Sequence, residues 1–174
     1  MSETTAAPPQ STPAPPLMVN IQYVKDLSFE VPNAPGIYAS LRQAPRADIN
    51  LDVQARRLQD GQNVYEVVLE IRTEATEPAP EGGGPGQRVF LAELSYGGVF
   101  TLNGVPDNAV EPILLVECPR ILFPFARNIL ADVTRDGGFP PVLLQPIDFV
   151  ALWQSRRAQA ANGPAISDAP ATVN

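Results

Sequence analysis

Four stretches alternate apolar and polar residues, and each predicts a strand. VNIQYVKDLSFEVP (19–32) does so loosely, setting Ile21, Tyr23 and Leu27 against Gln22, Val24 and Asp26. Two prolines and a glycine in VPNAPG end it. A linking segment with Ile37, Tyr38 and Leu41 follows. In DINLDVQA, Ile49, Leu51 and Val53 take one face and Asn50, Asp52 and Gln54 the other. Asp60-Gly61 then predicts a tight hairpin. VYEVVLEIRTEAT is the longest of the four. Tyr65, Val67, Leu69 and Ile71 face one way; Glu66, Val68, Glu70, Arg72 and Glu74 face the other. In RVFLAELSYGGVFTL, Phe90, Ala92 and Leu94 alternate with Leu91 and Glu93. Gly97-Gly98 predicts a bulge or bend there.

The pattern changes after residue 105. PDNAVEPILLVECPRILFPFARNILADVTRDGG has helical spacing, with Asp107 or Asn108 as the candidate cap. Pro112, Pro119 and Pro124 predict a break or kink. Asp136-Gly137-Gly138 is the stop, with Pro140 just beyond. IDFVALWQSRRAQA predicts a second helix, with Phe149, Leu152 and Trp153 on one side. Arg156 and Arg157 fall late in it, where the helix dipole favours cations.

Strands followed by helices predict an α+β fold: a four-stranded antiparallel sheet with two main helices on one face. The other face then meets water and carries Glu66, Glu70, Glu74 and Glu93. The first long helix has more apolar surface than one sheet can cover. Ile121, Leu122, Phe123, Phe125, Ala126, Ile129, Leu130 and Val133 exceed a single stripe of about 100°. A second subunit on the free side accounts for the excess, with Leu122, Phe125, Ile129, Leu130 and Val133 as the candidate oligomer interface.

Composition sets the limits. The chain has 174 residues, 44% hydrophobic and 18% charged, which suits one folded domain. Residues 1–18 are rich in Pro, Ser, Thr and Ala, and 157–174 have little large apolar content. Neither buries enough surface to offset ordering entropy, so both are predicted to be disordered tails around a 19–156 domain. The N-terminus has no basic region and no apolar run, so no secretory signal is predicted. No stretch reaches the ~18 apolar residues of a membrane span. A single cysteine fits a reducing compartment, and the expected location is the cytoplasm. A net charge of −7 argues against nucleic acid and for a basic partner.

The chemistry is sparse. No histidine is present, which removes the commonest general base and most zinc and iron sites. The expectation is that the chain is not an enzyme and needs no cofactor or metal. Gly82–Gly86 (GGGPG) leads into a strand through Gln87 and Arg88, unlike a phosphate loop. Cys118 lies among Leu114, Leu115 and Val116 and reads as a buried thiol. Glutamates four apart on a strand stand ~13 Å apart, too far to share a metal. The loop GGFPPVLLQPID is unusually apolar, and Phe139, Val142, Leu143 and Leu144 suggest a groove or an interface.

Four segments carry a resemblance: YVKDLSFEVPNAP, VYEVVLEI, FLAELSYGGVF and CPRILFPFARNILADVTRDGGFPPVLLQPIDFVALW. In that order they resemble the SecB family of protein-export chaperones, over about Val19 to Trp153. The Pro-rich start and the GGGPG insertion depart from the family pattern. The resemblance implies a homotetramer, a dimer of dimers with helices sandwiched between sheets. It implies a chaperone that holds unfolded secretory precursors in the cytoplasm and delivers them to the SecA motor, without catalysis, a cofactor, nucleic acid or membrane insertion. It assigns SecA contact to Asp26, Glu30, Leu91 and Glu93. It assigns client contact to Phe29, Ile37, Tyr38, Phe139, Val142, Leu143 and Leu144, and further to Phe149 and Trp153. Zinc in the family's complex belongs to the SecA tail. Two other readings stand beside it: a SecB-like chaperone serving a toxin–antitoxin pair, and an acidic adaptor that binds one folded partner.

Overall fold

The computed structural model describes residues 14–78 and 86–161. Its strands are β1 (Leu17–Glu30), β2 (Arg46–Arg57), β3 (Val64–Thr76) and β4 (Arg88–Leu102). Its helices are α1 (Gly36–Ser40), α2 (Asp107–Pro112), α3 (Cys118–Asp136) and α4 (Phe149–Ala161). The sheet is antiparallel in the order β1-β4-β3-β2, so β1 and β2 are the free edges. The α+β plan holds. β1 includes Leu17 and Met18 and α4 runs through Ala161, so both elements reach into the expected tails. Residues 1–13, 162–174 and most of the GGGPG stretch lie outside the described residues.

Period-two alternation builds the core. Tyr65, Val67, Leu69 and Ile71 of β3 and Phe90, Ala92, Leu94 and Phe100 of β4 are buried against the helices. α3 lies across β3 and β4 and buries Leu122, Ala126 and Leu130. Each buried Leu, Ile, Val or Phe contributes about 1.5–3 kcal/mol by leaving water.

Gly97-Gly98 does not form the expected bulge. The β3–β4 register runs through both glycines without a shift. The irregularities fall in β1, between Val19 and Ile21 and between Val24 and Asp26. The glycines instead make room. A Cβ on Gly97 would lie 3.0 Å from the Tyr23 ring, and one on Gly98 would lie 2.9 Å from a Leu122 methyl. The second β1 irregularity changes the pleat, so Tyr23 opposite Gly97 and Asp26 opposite Ser95 share the open face.

The prolines act differently from a sharp kink. Between α2 and α3, residues Ile113–Glu117 form a wider π-helical turn, in which the Cys118 amide reaches back to the Ile113 carbonyl. Pro112 ends α2 just before that turn and Pro119 falls in the first turn of α3, where a missing amide is tolerated, while α3 continues through Pro124. Neither Asp107 nor Asn108 caps α2; Pro106 holds the cap position and Asp107 lies in the first turn. Asp148 is the cap that the sequence pattern hid. Its Oδ1 accepts from the Val150 and Ala151 amides, both at 3.0 Å, at the start of α4. Cys118 is buried, and burial first, then the charge of Glu117, pushes its thiol up to about 12. It stays an unreactive thiol.

Candidate functional site

Two surfaces gather the predicted site residues. The first is the open sheet face. Glu30 pairs with Leu91 and Ser28 with Glu93 across the β1–β4 ladder, and Asp26 lies opposite Ser95. Asp26, Glu30, Leu91 and Glu93 therefore form one patch at one end of the face.

The face is less purely acidic than the alternation suggests. Arg72 bonds Glu93, Arg88 meets Glu74 at 2.8 Å, and Arg56 Nε donates to Glu66 at 2.6 Å. Asp26, Glu30 and Glu70 form no ion pair among the described residues. The free negative charge beside Glu93 thus comes from Asp26, Glu30 and Glu70. Arg72 was legible, since it alternates with the glutamates; Arg56 and Arg88 needed the register.

Glu66 is not a solvated carboxylate. It is buried under Tyr23 and Lys25, which reach across β4 from β1, and under Arg56 of the adjacent β2. Burial alone would raise its pKa. Hydrogen bonds from Tyr23, Arg56 and Lys25, with the Lys25 charge, overcome burial and hold the carboxyl down at about 2. Burial, followed by its bond to Glu66, pushes Tyr23 up to about 12.

A depressed carboxyl stabilises the fold above its unfolded pKa, near the ordinary 4.5, and loses that contribution as pH falls through about 2. Glu66→Gln is expected to lower neutral stability by about 2 kcal/mol and to flatten the acid limb of the stability curve. Urea unfolding at stepped pH measures both. An unchanged acid limb would contradict this.

The second surface lies where the α3 C-terminus meets the segments 31–45 and 137–148. Phe29, Tyr38, Phe90 and Phe139 form an aromatic cluster there. Phe139 stacks on Tyr38 at 5.3 Å and tilts against Phe90 at 5.0 Å and Phe29 at 6.4 Å. The Tyr38 hydroxyl donates to the Gly137 carbonyl at 2.8 Å. A Cβ on Gly137 would lie 2.2 Å from the Phe29 ring, so any larger residue must push that ring out of the cluster. Gly138 has φ +86°, a conformation that also favours glycine. Thr134 is fully buried; its Oγ1 donates to the Leu130 carbonyl and accepts from the Val142 amide at 3.0 Å, tying the loop to α3.

The predicted client residues divide by exposure. Ile37, Phe139, Leu144 and Phe149 are buried within the protomer, and Phe29, Val142 and Trp153 are half-buried. Tyr38 and Leu143 are exposed, at 48% and 59%, Tyr38 with one ring face on Phe139. Phe149 packs edge-on against Phe123 at 5.9 Å, away from the aromatic cluster. Trp153, on α4, donates through Nε1 to Glu111 of α2 at 3.2 Å. Phe90 and Thr134 were missed: both read as ordinary core or helix positions.

α3 also shows which apolar positions remain available. Leu122 and Leu130 are fully buried against this protomer's own sheet, so no partner can reach them. Phe125 remains 49% exposed and stacks on Tyr96 at 6.2 Å; Ile129 and Val133 are half-buried. Val24, opposite Tyr96 on β1, is 46% exposed, and Leu27 is exposed nearby on the same strand.

The family model for preprotein translocase subunit SecB matches residues 10–160. The chain belongs to the SecB family. It is 66% identical over 165 residues to a protein-export protein SecB from Acidiphilium cryptum, covering 91% of this chain and 95% of that protein. It is 68% identical over 160 residues to the protein of the same name from Granulibacter bethesdensis, covering 91% and 92%. Among solved structures it matches a SecB-like chaperone from Mycobacterium tuberculosis in complex with an antitoxin peptide. That match has a TM-score of 0.60 at 13% identity and covers 76% of this chain and 91% of that one, which supports a shared fold. SecB is a protein-export chaperone family and not an enzyme class. No helix among the described residues of this SecB chain is long and apolar enough to cross a membrane.

Proposed function

We propose that this chain holds unfolded secretory precursors in the cytoplasm and delivers them to the SecA motor, as a homotetramer built as a dimer of dimers. The observation that carries the reading is the identity of about two-thirds, over nine-tenths of the chain, to protein-export SecB proteins. The surfaces suit the task. Apolar contact is non-directional, so Tyr38 and Leu143 can serve many client sequences. Phe125, Val24 and Leu27 offer an apolar strip beside the free edge of β1, which suits subunit contact. The antitoxin peptide of the tuberculosis neighbour shows what that protein binds; at 13% identity it gives no preference for a toxin–antitoxin role here.

Asp26, Glu30 and Glu93 supply the field for a basic surface of SecA; Leu91, the fourth expected contact, is only 7% exposed and supports the patch from beneath. Asp26→Lys is expected to weaken SecA binding about tenfold or more, and more than Glu93→Lys, because Arg72 already neutralises Glu93. Binding of an unfolded precursor is expected to stay nearly intact. Calorimetry with each partner reads the two activities apart. Equal loss of both would place the SecA surface elsewhere.

A further inference from the structure

The two free edges of the sheet are finished differently. In an antiparallel ladder, residues that do not bond to the neighbouring strand turn both backbone groups outward. On β2 those groups belong to Leu51 and Val53, and side chains fill them. Arg156 of α4 donates through Nη1 to the Val53 carbonyl and through Nη2 to the Leu51 carbonyl, both at 3.2 Å. The Val53 amide donates to Asp52 Oδ1 at 2.9 Å, and the same carboxylate is ion-paired with Arg156. One guanidinium and one carboxylate thus take the places of the donors and acceptor of an added strand. No comparable clasp covers the β1 edge among the described residues.

The clasp also borders a cavity of about 210 Å³ between α4 and β2. Val53, Leu115, Leu152, Trp153 and Ala160 line it, with the Arg157 guanidinium 5.1 Å above the indole ring. The cavity is mostly apolar and large enough for one bulky side chain. Arg156 is partly solvent-exposed and reaches both the cavity and the open sheet face.

We propose that Arg156 is a guard on the β2 edge: with Asp52 it occupies Leu51 and Val53, and an extended segment of an unfolded polypeptide must displace it to pair there, seating an apolar side chain in the cavity beside Trp153. This rests on the reading that the chain holds unfolded polypeptides. An extended segment fits because the clasp imitates main-chain pairing and the cavity accepts one residue of an alternating strand. A second copy fits poorly. Two β2 edges meeting about a two-fold axis would bring two clasps and two Arg156 charges together. The guard explains how an exposed edge avoids indiscriminate pairing while clients are absent.

The test uses a short labelled peptide of alternating phenylalanine and threonine, and a twin with every second backbone amide N-methylated. Fluorescence anisotropy compares the wild type, Arg156→Met and Asp52→Ala, with circular dichroism to confirm the fold. Arg156→Met is expected to bind the unmodified peptide about tenfold tighter, the scale of one or two hydrogen bonds no longer in competition. Asp52→Ala is expected to shift in the same direction. The methylated twin is expected to gain nothing from either substitution. Binding by the wild type with no gain in Arg156→Met, or equal gain for both peptides, overturns the guard but leaves the chaperone reading intact. No binding of either peptide by any protein overturns the β2 edge as a docking site; the chaperone reading fails only if an unfolded full-length precursor also does not bind. A variant that self-associates instead of binding peptide shows that the edge takes a second copy, and overturns the proposed occupant.

Discussion

Leu144→Glu is expected to unfold the protein, whereas its neighbour change Leu143→Glu is expected to leave the fold intact and release clients. The two leucines are adjacent on one loop, yet Leu144 is 3% exposed and Leu143 is 59% exposed. Leu144 belongs to the core beneath the loop. An unpaired carboxylate there costs about 4 kcal/mol or more, a large share of a stability of roughly 5–15 kcal/mol. Leu143 contributes little to the protomer, so a charge at that position is cheap for the fold. It spoils an apolar contact for any client segment that crosses the loop, and affinity should fall about tenfold or more. Clients long enough to reach several subunits should lose more, because avidity multiplies the effect. Thermal melting separates the two leucines, and calorimetry with an unfolded precursor reads the release. Full client binding by Leu143→Glu would remove this loop from the client surface.

Phe125→Glu combined with Val24→Glu is expected to break the assembly without unfolding the subunit. Both side chains are about half exposed on the helix side of the sheet, close to the free β1 edge. A single protomer does not bury them, and burying a Phe is worth about 1.5–3 kcal/mol. Symmetry repeats that loss in every protomer, so two charges per chain act several times over. Light scattering after chromatography is expected to show a tetramer for the wild type and a smaller species for the double variant. A wild-type monomer at micromolar concentration, or an unchanged mass for the variant, would contradict the proposed assembly. The same exposure pattern explains why Leu122 and Leu130 are poor targets. A charge at either would damage the core before it tested any interface.

These leucines mark the limit of what the sequence alone can place. Strict alternation made the faces of β3 legible, and Tyr65, Val67, Leu69 and Ile71 lie on the core side as their spacing requires. β1 was harder, because two irregularities shift its pleat and no residue type announces them. A helix that is apolar on most sides has no phase that the sequence can fix, so Phe125 and Leu122 looked alike. A loop has no period at all, so Leu143 and Leu144 looked alike as well. The open face was legible as carboxylates, but its charge balance depends on which arginine meets which glutamate across the ladder. The Asp52–Arg156 clasp joins β2 to α4 across most of the chain, and neither local pattern hints at the other.

The central claim is that this SecB chain holds precursors only while they are unfolded. One measurement addresses it most directly: calorimetric titration of the protein with a single secretory precursor that retains its signal sequence, first freshly diluted from denaturant and then fully folded. The account expects tight binding of the unfolded precursor, much weaker binding of short peptides cut from it, and none of the folded form. Equal binding of folded and unfolded precursor, or no binding of the unfolded chain, would contradict it.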